Sequence, residues 1–81
     1  MEQTIKSPLP GIFYRRPSPH ADPYVDEGNT VQPGDVVGVI EIMKNFYEVK
    51  SESAGVVARF LVENEALVEA GQDILALESA E

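Results

Sequence analysis

The feature that most constrains this chain is an internal repeat that relates one half of the sequence to the other. Residues 25–34 align with residues 62–71 at an offset of 37, with glycine, apolar and acidic positions in one register. Upstream, residues 7–12 align with residues 51–56 at an offset of 44, so the first half carries seven extra residues. Two copies of one supersecondary unit bury their apolar faces against each other, which predicts a single domain with quasi-two-fold symmetry.

The repeat predicts strands where residue propensity alone would favour a helix. Residues 61–70 are rich in glutamate, alanine and leucine, which are good helix formers. The equivalent segment contains Gly28 and Pro33, which a helix interior does not accommodate. We therefore predict a short strand and a turn in both copies, ending at Gly34 and Gly71. The other predicted strands are residues 4–7, 12–14, 36–43, 46–50, 56–61 and 74–78, with short pieces near Val31 and Val68.

Short strands separated by glycine and proline turns predict an all-β fold, an antiparallel sandwich or flattened β-barrel. Eighty-one residues suit one domain over residues 1–81. The chain has six Lys and Arg against fourteen Asp and Glu, which excludes the basic face that nucleic acids and anionic membranes require. With no cysteine and one histidine, no metal site is expected. The N-terminal residues contain no apolar signal region, which predicts a cytoplasmic protein.

The seven extra residues fall within a proline-rich loop, residues 15–24. Its prolines fix φ and cannot donate to a sheet, so the loop is expected to be a stiff projection outside the strands. Such a projection is either a simple surface excursion or a preformed arm that contacts a ligand or partner.

Residues 41–48 join the two halves and predict a hairpin with Met43 and Lys44 at its tip. Tight hairpin turns prefer Asn-Gly because both central residues need a positive φ, so Met-Lys is an unfavourable pair. Either the tip is a functional site, or Met43 simply packs on the barrel and Lys44 is a solvated lysine. Of three lysines, only Lys44 is expected at a tip, where its amine can form an amide. We expect the hairpin to be anchored by apolar residues of its two arms, which are Val39, Ile40, Ile42, Phe46, Tyr47 and Val49.

These residues resemble the biotinyl domains of the biotin carboxyl carrier family. Glu41-Ile42-Met43-Lys44 is similar to the family's Glu-Ala-Met-Lys-Met attachment motif. The run from Gly11 to Pro19, Gly-Ile-Phe-Tyr-Arg-Arg-Pro-Ser-Pro, resembles the start of the family's "thumb", an insertion that most biotinyl and lipoyl domains lack. The proline-rich loop is called the thumb below. The Gly-Asp turn at residues 34–35 also matches, and the resemblance covers nearly the whole chain.

The resemblance implies two four-stranded antiparallel sheets with quasi-two-fold symmetry and a biotin joined covalently to Lys44 by a biotin–protein ligase. It further implies a non-catalytic carrier that takes a carboxyl group, as carboxybiotin, from biotin carboxylase to carboxyltransferase. The parent enzyme would be acetyl-CoA carboxylase, which serves fatty acid biosynthesis. In such a carrier the cofactor holds the reactive group and the protein presents it.

The sequence departs from the family's pattern at three positions. Ile42 replaces a small residue before Met43, and Asn45 replaces the methionine after the lysine. Arg16 stands where the family has the threonine thought to contact the biotin ureido ring, in a thumb segment that continues through Pro17, Ser18 and Pro19.

Two alternatives remain open from the sequence. A lipoyl domain of a 2-oxo acid dehydrogenase shares the expected fold and the hairpin-tip lysine, although Met43 and the thumb argue against it. An unmodified barrel that serves only as an assembly module is a different class. An enzyme is not expected, since the acidic residues form no recognisable acid–base constellation.

Overall fold

The computed structural model describes residues 2–18 and 20–79, and their regular structure consists of eight β-strands. In chain order these are β1 (Glu2–Lys6), β2 (Gly11–Tyr14), β3 (Thr30–Val31), β4 (Val36–Ile42), β5 (Asn45–Lys50), β6 (Gly55–Phe60), β7 (Ala66–Val68) and β8 (Asp73–Ser79). All eight were predicted, with ends that differ by two residues at most where bounds were given. Residues 61–70 contain β7 and no helix, so the repeat was a better guide there than propensity. The part of the chain that the structure describes has no helix long and apolar enough to cross a membrane.

The strands form two four-stranded antiparallel sheets. Their orders are β1-β8-β6-β3 and β5-β4-β2-β7, so each sheet contains strands from both halves of the repeat. No strand of one sheet pairs with a strand of the other within the described residues. Of the two forms expected from the sequence, the structure is therefore the sandwich and not a closed barrel.

The core lies between the sheets and is made almost entirely of aliphatic side chains. Among the described residues, Phe13 is the one fully buried aromatic residue of the core, and Phe60 packs against it. The Phe13 ring fills the space that Gly38 leaves open on the next strand. A Cβ on Gly38 would lie 2.4 Å from that ring. The core residues are Ile5, Phe13, Val25, Val31, Val37, Ile40, Val49, Val57, Val68, Ile74, Leu75 and Leu77.

Hydrogen bonds in the connecting turns repeat the quasi-two-fold symmetry. The Gly34 N–H donates to the Ser51 carbonyl at 2.8 Å, and the Gly71 N–H donates to the Ser7 carbonyl at 2.8 Å. Both glycines have positive φ, 94° and 84°, which glycine adopts without steric cost. The equivalent halves of the sequence therefore share backbone geometry as well as residue pattern.

Candidate functional site

The tip of the β4–β5 hairpin consists of two residues, Met43 and Lys44. The register pairs Ile42 with Asn45, so no other residue lies in the turn. Met43 has a φ of 50° and Lys44 a φ of 69°, the signs that a type I′ turn requires at both central residues. Residues with a Cβ are disfavoured there, because the left-handed region is sterically narrow. The predicted hairpin is confirmed, and its turn holds an unfavourable residue pair at the end of the sheet.

Both side chains of the tip are open to solvent. Met43 is 89% exposed, and Lys44 is also exposed. The other two lysines lie in strands near carboxylates: Lys6 Nζ is 2.6 Å from Asp73, and Lys50 Nζ is 3.8 Å from a glutamate. Lys44 forms no such ion pair with any residue that the structure describes. Its amine is therefore available to another molecule.

The residues that flank the tip differ in their surroundings. Ile42 is half-buried and packs against the core, whereas Asn45 is exposed at the start of β5. The Tyr14 hydroxyl donates a 2.9 Å hydrogen bond to Glu41 Oε1. This bond raises the pKa of Tyr14 above its usual 10.0, because loss of the proton would leave a phenolate beside a carboxylate. The bond fixes the strand before the tip to the strand that leads into the thumb.

The prediction that β5 anchors the hairpin through Phe46 and Tyr47 is wrong, because both side chains are exposed. Val49 is buried, but Phe46 is 60% exposed and Tyr47 is 44% exposed. Phe46 lies directly opposite Glu41, so its side chain is on the outer face of the sheet. There its ring packs against Tyr14 with centroids 6.3 Å apart. A large aromatic side chain therefore lies at the surface close to Lys44.

The thumb contains no strand in its described part, as its prolines predicted. Its two ends are joined by a hydrogen bond from the Tyr24 N–H to the Arg15 carbonyl at 2.9 Å. Within the loop, the Ala21 N–H donates to the Ser18 carbonyl at 3.1 Å. The thumb is thus closed at its base and turned at its end.

Arg15 attaches the base of the thumb to the rest of the sandwich. Its guanidinium carbon lies 3.9 Å from the centroid of the Phe60 ring, and its Nη2 donates to Asp26 at 3.0 Å. Its backbone N–H donates to Asn64 Oδ1 at 2.8 Å. The contacts with Phe60 and Asn64 hold the thumb against the end of β6 and the loop that follows it, and the bond to Asp26 holds it to the segment before β3.

A cleft of about 260 Å³ separates the thumb from the sheet that carries the hairpin. It is lined by Tyr14, Arg16, Pro17, Ser18, Phe46, Asn64 and Glu65. The structure thus brings three predicted thumb residues beside Phe46, which is two residues from Lys44. Pro19, the fourth, lies outside the described residues.

The cleft combines apolar walls with two opposite charges. Arg16 is half-buried, and its buried Nε–H has no hydrogen-bond partner among the described residues. Glu65 brings a carboxylate to the same cleft. A guest with an apolar body and both a donor and an acceptor would match this lining. Sequence reasoning missed Asn64 and Glu65, because only the folded chain brings them to the thumb. Tyr14, which directly precedes the thumb, was recognised only as part of the family's motif.

The described residues contain no group of three or more His, Cys, Asp or Glu side chains that could hold a metal ion. His20 is exposed in the thumb.

Comparison with known proteins gives a family match over most of the chain. Residues 3–77 match the model of a family described as biotin-requiring enzyme. The biotin carboxyl carrier protein of acetyl-CoA carboxylase from Haemophilus influenzae is 35% identical over 74 residues, which cover 91% of this chain and 48% of that protein. The chloroplastic biotin carboxyl carrier protein of acetyl-CoA carboxylase 2 from Arabidopsis thaliana is 42% identical over 60 residues. These residues cover 74% of this chain and 24% of that protein.

Solved structures show the same fold inside larger proteins. The urea carboxylase of Kluyveromyces lactis matches with a TM-score of 0.76 and 27% identity, covering 96% of this chain and 6% of that protein. The chain spans about half or less of the length of the curated relatives it matches.

Proposed function

This chain belongs to the family of biotin-requiring enzymes, and on that premise we propose that it is a biotin carrier domain with Lys44 as the attachment residue. The observation that carries the proposal is the two-residue tip, where an exposed lysine is held in a left-handed turn. The resemblance of residues 41–44 to the family's attachment motif supports the same residue. Met43, Glu41, Ile42 and Asn45 would present this lysine to the modifying enzyme.

Attachment needs only one reactive group from this chain. The Lys44 amine would attack the carboxyl carbon of biotin after that carboxyl had been activated with ATP by a biotin–protein ligase. An amide bond would form, the activating group would leave with the bonding electrons, and the amine would release a proton. A long lysine stem at an exposed tip allows the approach, since the amine can reach beyond the surface of the sandwich.

The role of the chain after attachment is to present the cofactor. Bound biotin supplies carboxyl-transfer chemistry, and the carrier itself is not the catalyst. Tethering would keep the cofactor at high effective concentration near two active sites, those of a biotin carboxylase and a carboxyltransferase. The names of the curated relatives favour acetyl-CoA carboxylase as the parent enzyme and hence a place in fatty acid biosynthesis.

We further propose that the cleft under the thumb receives the bicyclic ring of the tethered biotin. The Arg16 Nε–H would donate to the ureido carbonyl, and the ring would pack against Phe46. Pro17 and Ser18 would close the outer side of the cleft. The unpartnered Arg16 Nε–H supports this role, because a buried donor without an acceptor is costly. Arg16 would then replace the threonine contact that the family makes at this position.

The attachment is tested by intact-mass measurement after incubation with biotin, ATP and a biotin–protein ligase. Wild-type protein is expected to gain one biotinyl group, and Lys44→Ala none. The double variant Lys6→Arg, Lys50→Arg is the matched control and should gain the group as the wild type does. Absence of any gain in folded wild-type protein would contradict the proposal and favour lipoylation or an unmodified interaction module.

A further inference from the structure

A row of side chains crosses the outer face of the sheet that carries the hairpin. Ile12 on β2 lies opposite Leu67 on one side and Glu41 on the other, and Glu41 lies opposite Phe46. Residues directly opposite each other point to the same face of a sheet. These four residues therefore form a continuous strip, which spans about 14 Å at the usual strand spacing. They are called the outer strip below.

The outer strip exposes apolar side chains at two positions where the fold does not require an apolar residue. Leu67 is 79% exposed and Phe46 is 60% exposed. The internal repeat supplies a built-in comparison, because every strip residue has an equivalent on the other sheet. In the order Leu67, Ile12, Glu41, Phe46, these equivalents are Thr30, Val56, Glu78 and Glu2. The same backbone thus carries threonine and glutamate where the strip exposes leucine and phenylalanine, so folding alone does not account for the apolar residues.

The charges on this face restrict what could cover it. The Glu41 carboxylate lies in the middle of the strip and is held there by the Tyr14 hydroxyl at 2.9 Å. Glu48 lies in the adjacent row on the same face, opposite Val39, and its carboxylate is 3.8 Å from Lys50 Nζ. The chain as a whole has a net charge of −8. A complementary partner surface would therefore set a basic side chain between apolar ones, and the opposite charges would speed encounter.

We propose that the outer strip is the surface on which the biotin–protein ligase docks to reach Lys44, through a basic side chain flanked by apolar ones. This inference rests on the proposed function. Among the enzymes of that function, the ligase is the one that must recognise the unmodified protein, since the others bind the tethered cofactor in their active sites. The strip begins at Phe46, beside the hairpin tip, and ends at Leu67 on the opposite edge of the sheet. A ligase bound along it would contact β4, β2 and β7 in addition to β5, the strand that follows Lys44.

The strip is tested at Leu67, which lies at the end remote from the lysine and outside the cleft. Leu67→Thr introduces the residue that the other half carries at Thr30. We expect the ligase KM for this variant to rise roughly five- to tenfold, as for loss of one well-packed interface side chain. The kcat should stay at the wild-type value, because the tip is unchanged. Leu67→Met keeps an apolar side chain and should restore a KM within about twofold of wild type.

The matched control for this loss is Leu61→Thr, the same chemical change at a leucine that is 40% exposed in the loop after β6. It should leave KM unchanged. A wild-type KM for Leu67→Thr, or an equal rise for Leu61→Thr, would overturn the inference. If the wild-type chain accepted no biotin at all, the proposed function would fail instead, so the two failures are distinguishable.

The charge complementarity is tested with a second matched pair. Glu48→Lys reverses a charge on the outer face, and Glu52→Lys makes the same net change in the exposed turn between β5 and β6. We expect the ligase KM to rise at least threefold more for Glu48→Lys than for Glu52→Lys, and more strongly at low ionic strength. Equal effects of the two reversals would contradict a basic docking partner at this face.

Discussion

Glu65 occupies the backbone position that Gly28 occupies in the other half of the repeat. The Glu65 N–H donates to the Phe13 carbonyl at 2.6 Å, and the Gly28 N–H donates to the Val57 carbonyl at 2.8 Å. Both residues have positive φ, 69° and 90°. Glycine adopts this conformation freely, whereas glutamate carries a steric cost of about 1 kcal/mol. The second half therefore keeps a strained residue where the first half uses an unstrained one.

Replacement of Glu65 by glycine should stabilise the protein. Relief of the left-handed strain is expected to raise the free energy of unfolding by up to about 1 kcal/mol. For a domain of this size that corresponds to an increase in Tm of about 4–8 °C. Thermal unfolding followed by circular dichroism measures the change. Glu63→Gly, two residues earlier and without positive φ, is the control and should lower Tm; a lower Tm for Glu65→Gly would contradict the strain.

The repeat is the reason that much of the fold was predictable. Sequence alignment of the two halves placed Gly28 over Glu65, and it identified the weak strands near Val31 and Val68 that propensity would have missed. The hairpin tip at Met43 and Lys44 followed from its position at the junction of the halves. These features depend on local sequence and on symmetry, both of which are visible without a structure.

Features that depend on exact register or on distant contacts were not predictable. Phe46 was expected to anchor the hairpin, but the register places it opposite Glu41 on the outer face. Arg15 stacks on Phe60 and bonds Asn64, both far away in sequence. The cleft depends on these contacts, since they place the thumb over the sheet. A loop rich in proline indicates stiffness but not direction.

We expect biotin attachment by the ligase to depend on the size and apolar character of the Met43 side chain. Met43→Leu keeps both, so we expect it to accept biotin at a rate within about threefold of wild type. The rate of biotin incorporation, followed by intact mass over time, measures this. Met43→Asn, which suits a left-handed turn but is polar, is the control and should be modified more slowly. Complete loss of modification in Met43→Leu would instead show that the ligase reads the thioether itself.

The hydrogen bond between Tyr14 and Glu41 should be visible in the titration of the tyrosines. The Glu41 carboxylate raises the pKa of Tyr14 above 10.0, so Glu41→Gln should lower it towards that value, because the charge is removed. The near-ultraviolet absorbance of the phenolate measures the titration, and Tyr14→Phe identifies the curve that belongs to Tyr14. An unchanged titration in Glu41→Gln would show that the carboxylate does not act on this hydroxyl.

The surface pair of Lys6 and Asp73 should contribute to stability in a defined pH range. Hydrogen bonds from Lys6 and Thr4 lower the pKa of Asp73 below its usual 3.8. As pH falls, the Asp73 carboxylate is therefore protonated in the unfolded chain before it is protonated in the folded protein. The contribution of this carboxylate to the free energy of unfolding is complete above about pH 5, and it is lost as pH falls through the pKa of Asp73 in the folded protein. We expect Asp73→Asn to lower Tm near neutral pH and the difference from wild type to shrink below about pH 4.

The control for this dependence is Asp22→Asn, in the exposed part of the thumb. Its Tm should follow the wild-type curve at every pH. A difference between wild type and Asp73→Asn that persisted unchanged into acid would contradict the sign of the pKa shift.

The central claim is that Lys44 alone among the three lysines carries biotin. Peptide mapping by mass spectrometry, after reaction of the wild-type chain with ligase, ATP and biotin, tests it most directly. We expect one biotinyl group, found on the peptide that contains Lys44, with Lys6 and Lys50 unmodified. A biotinyl group on Lys6 or Lys50, or modification of all three lysines to similar extents, would contradict it.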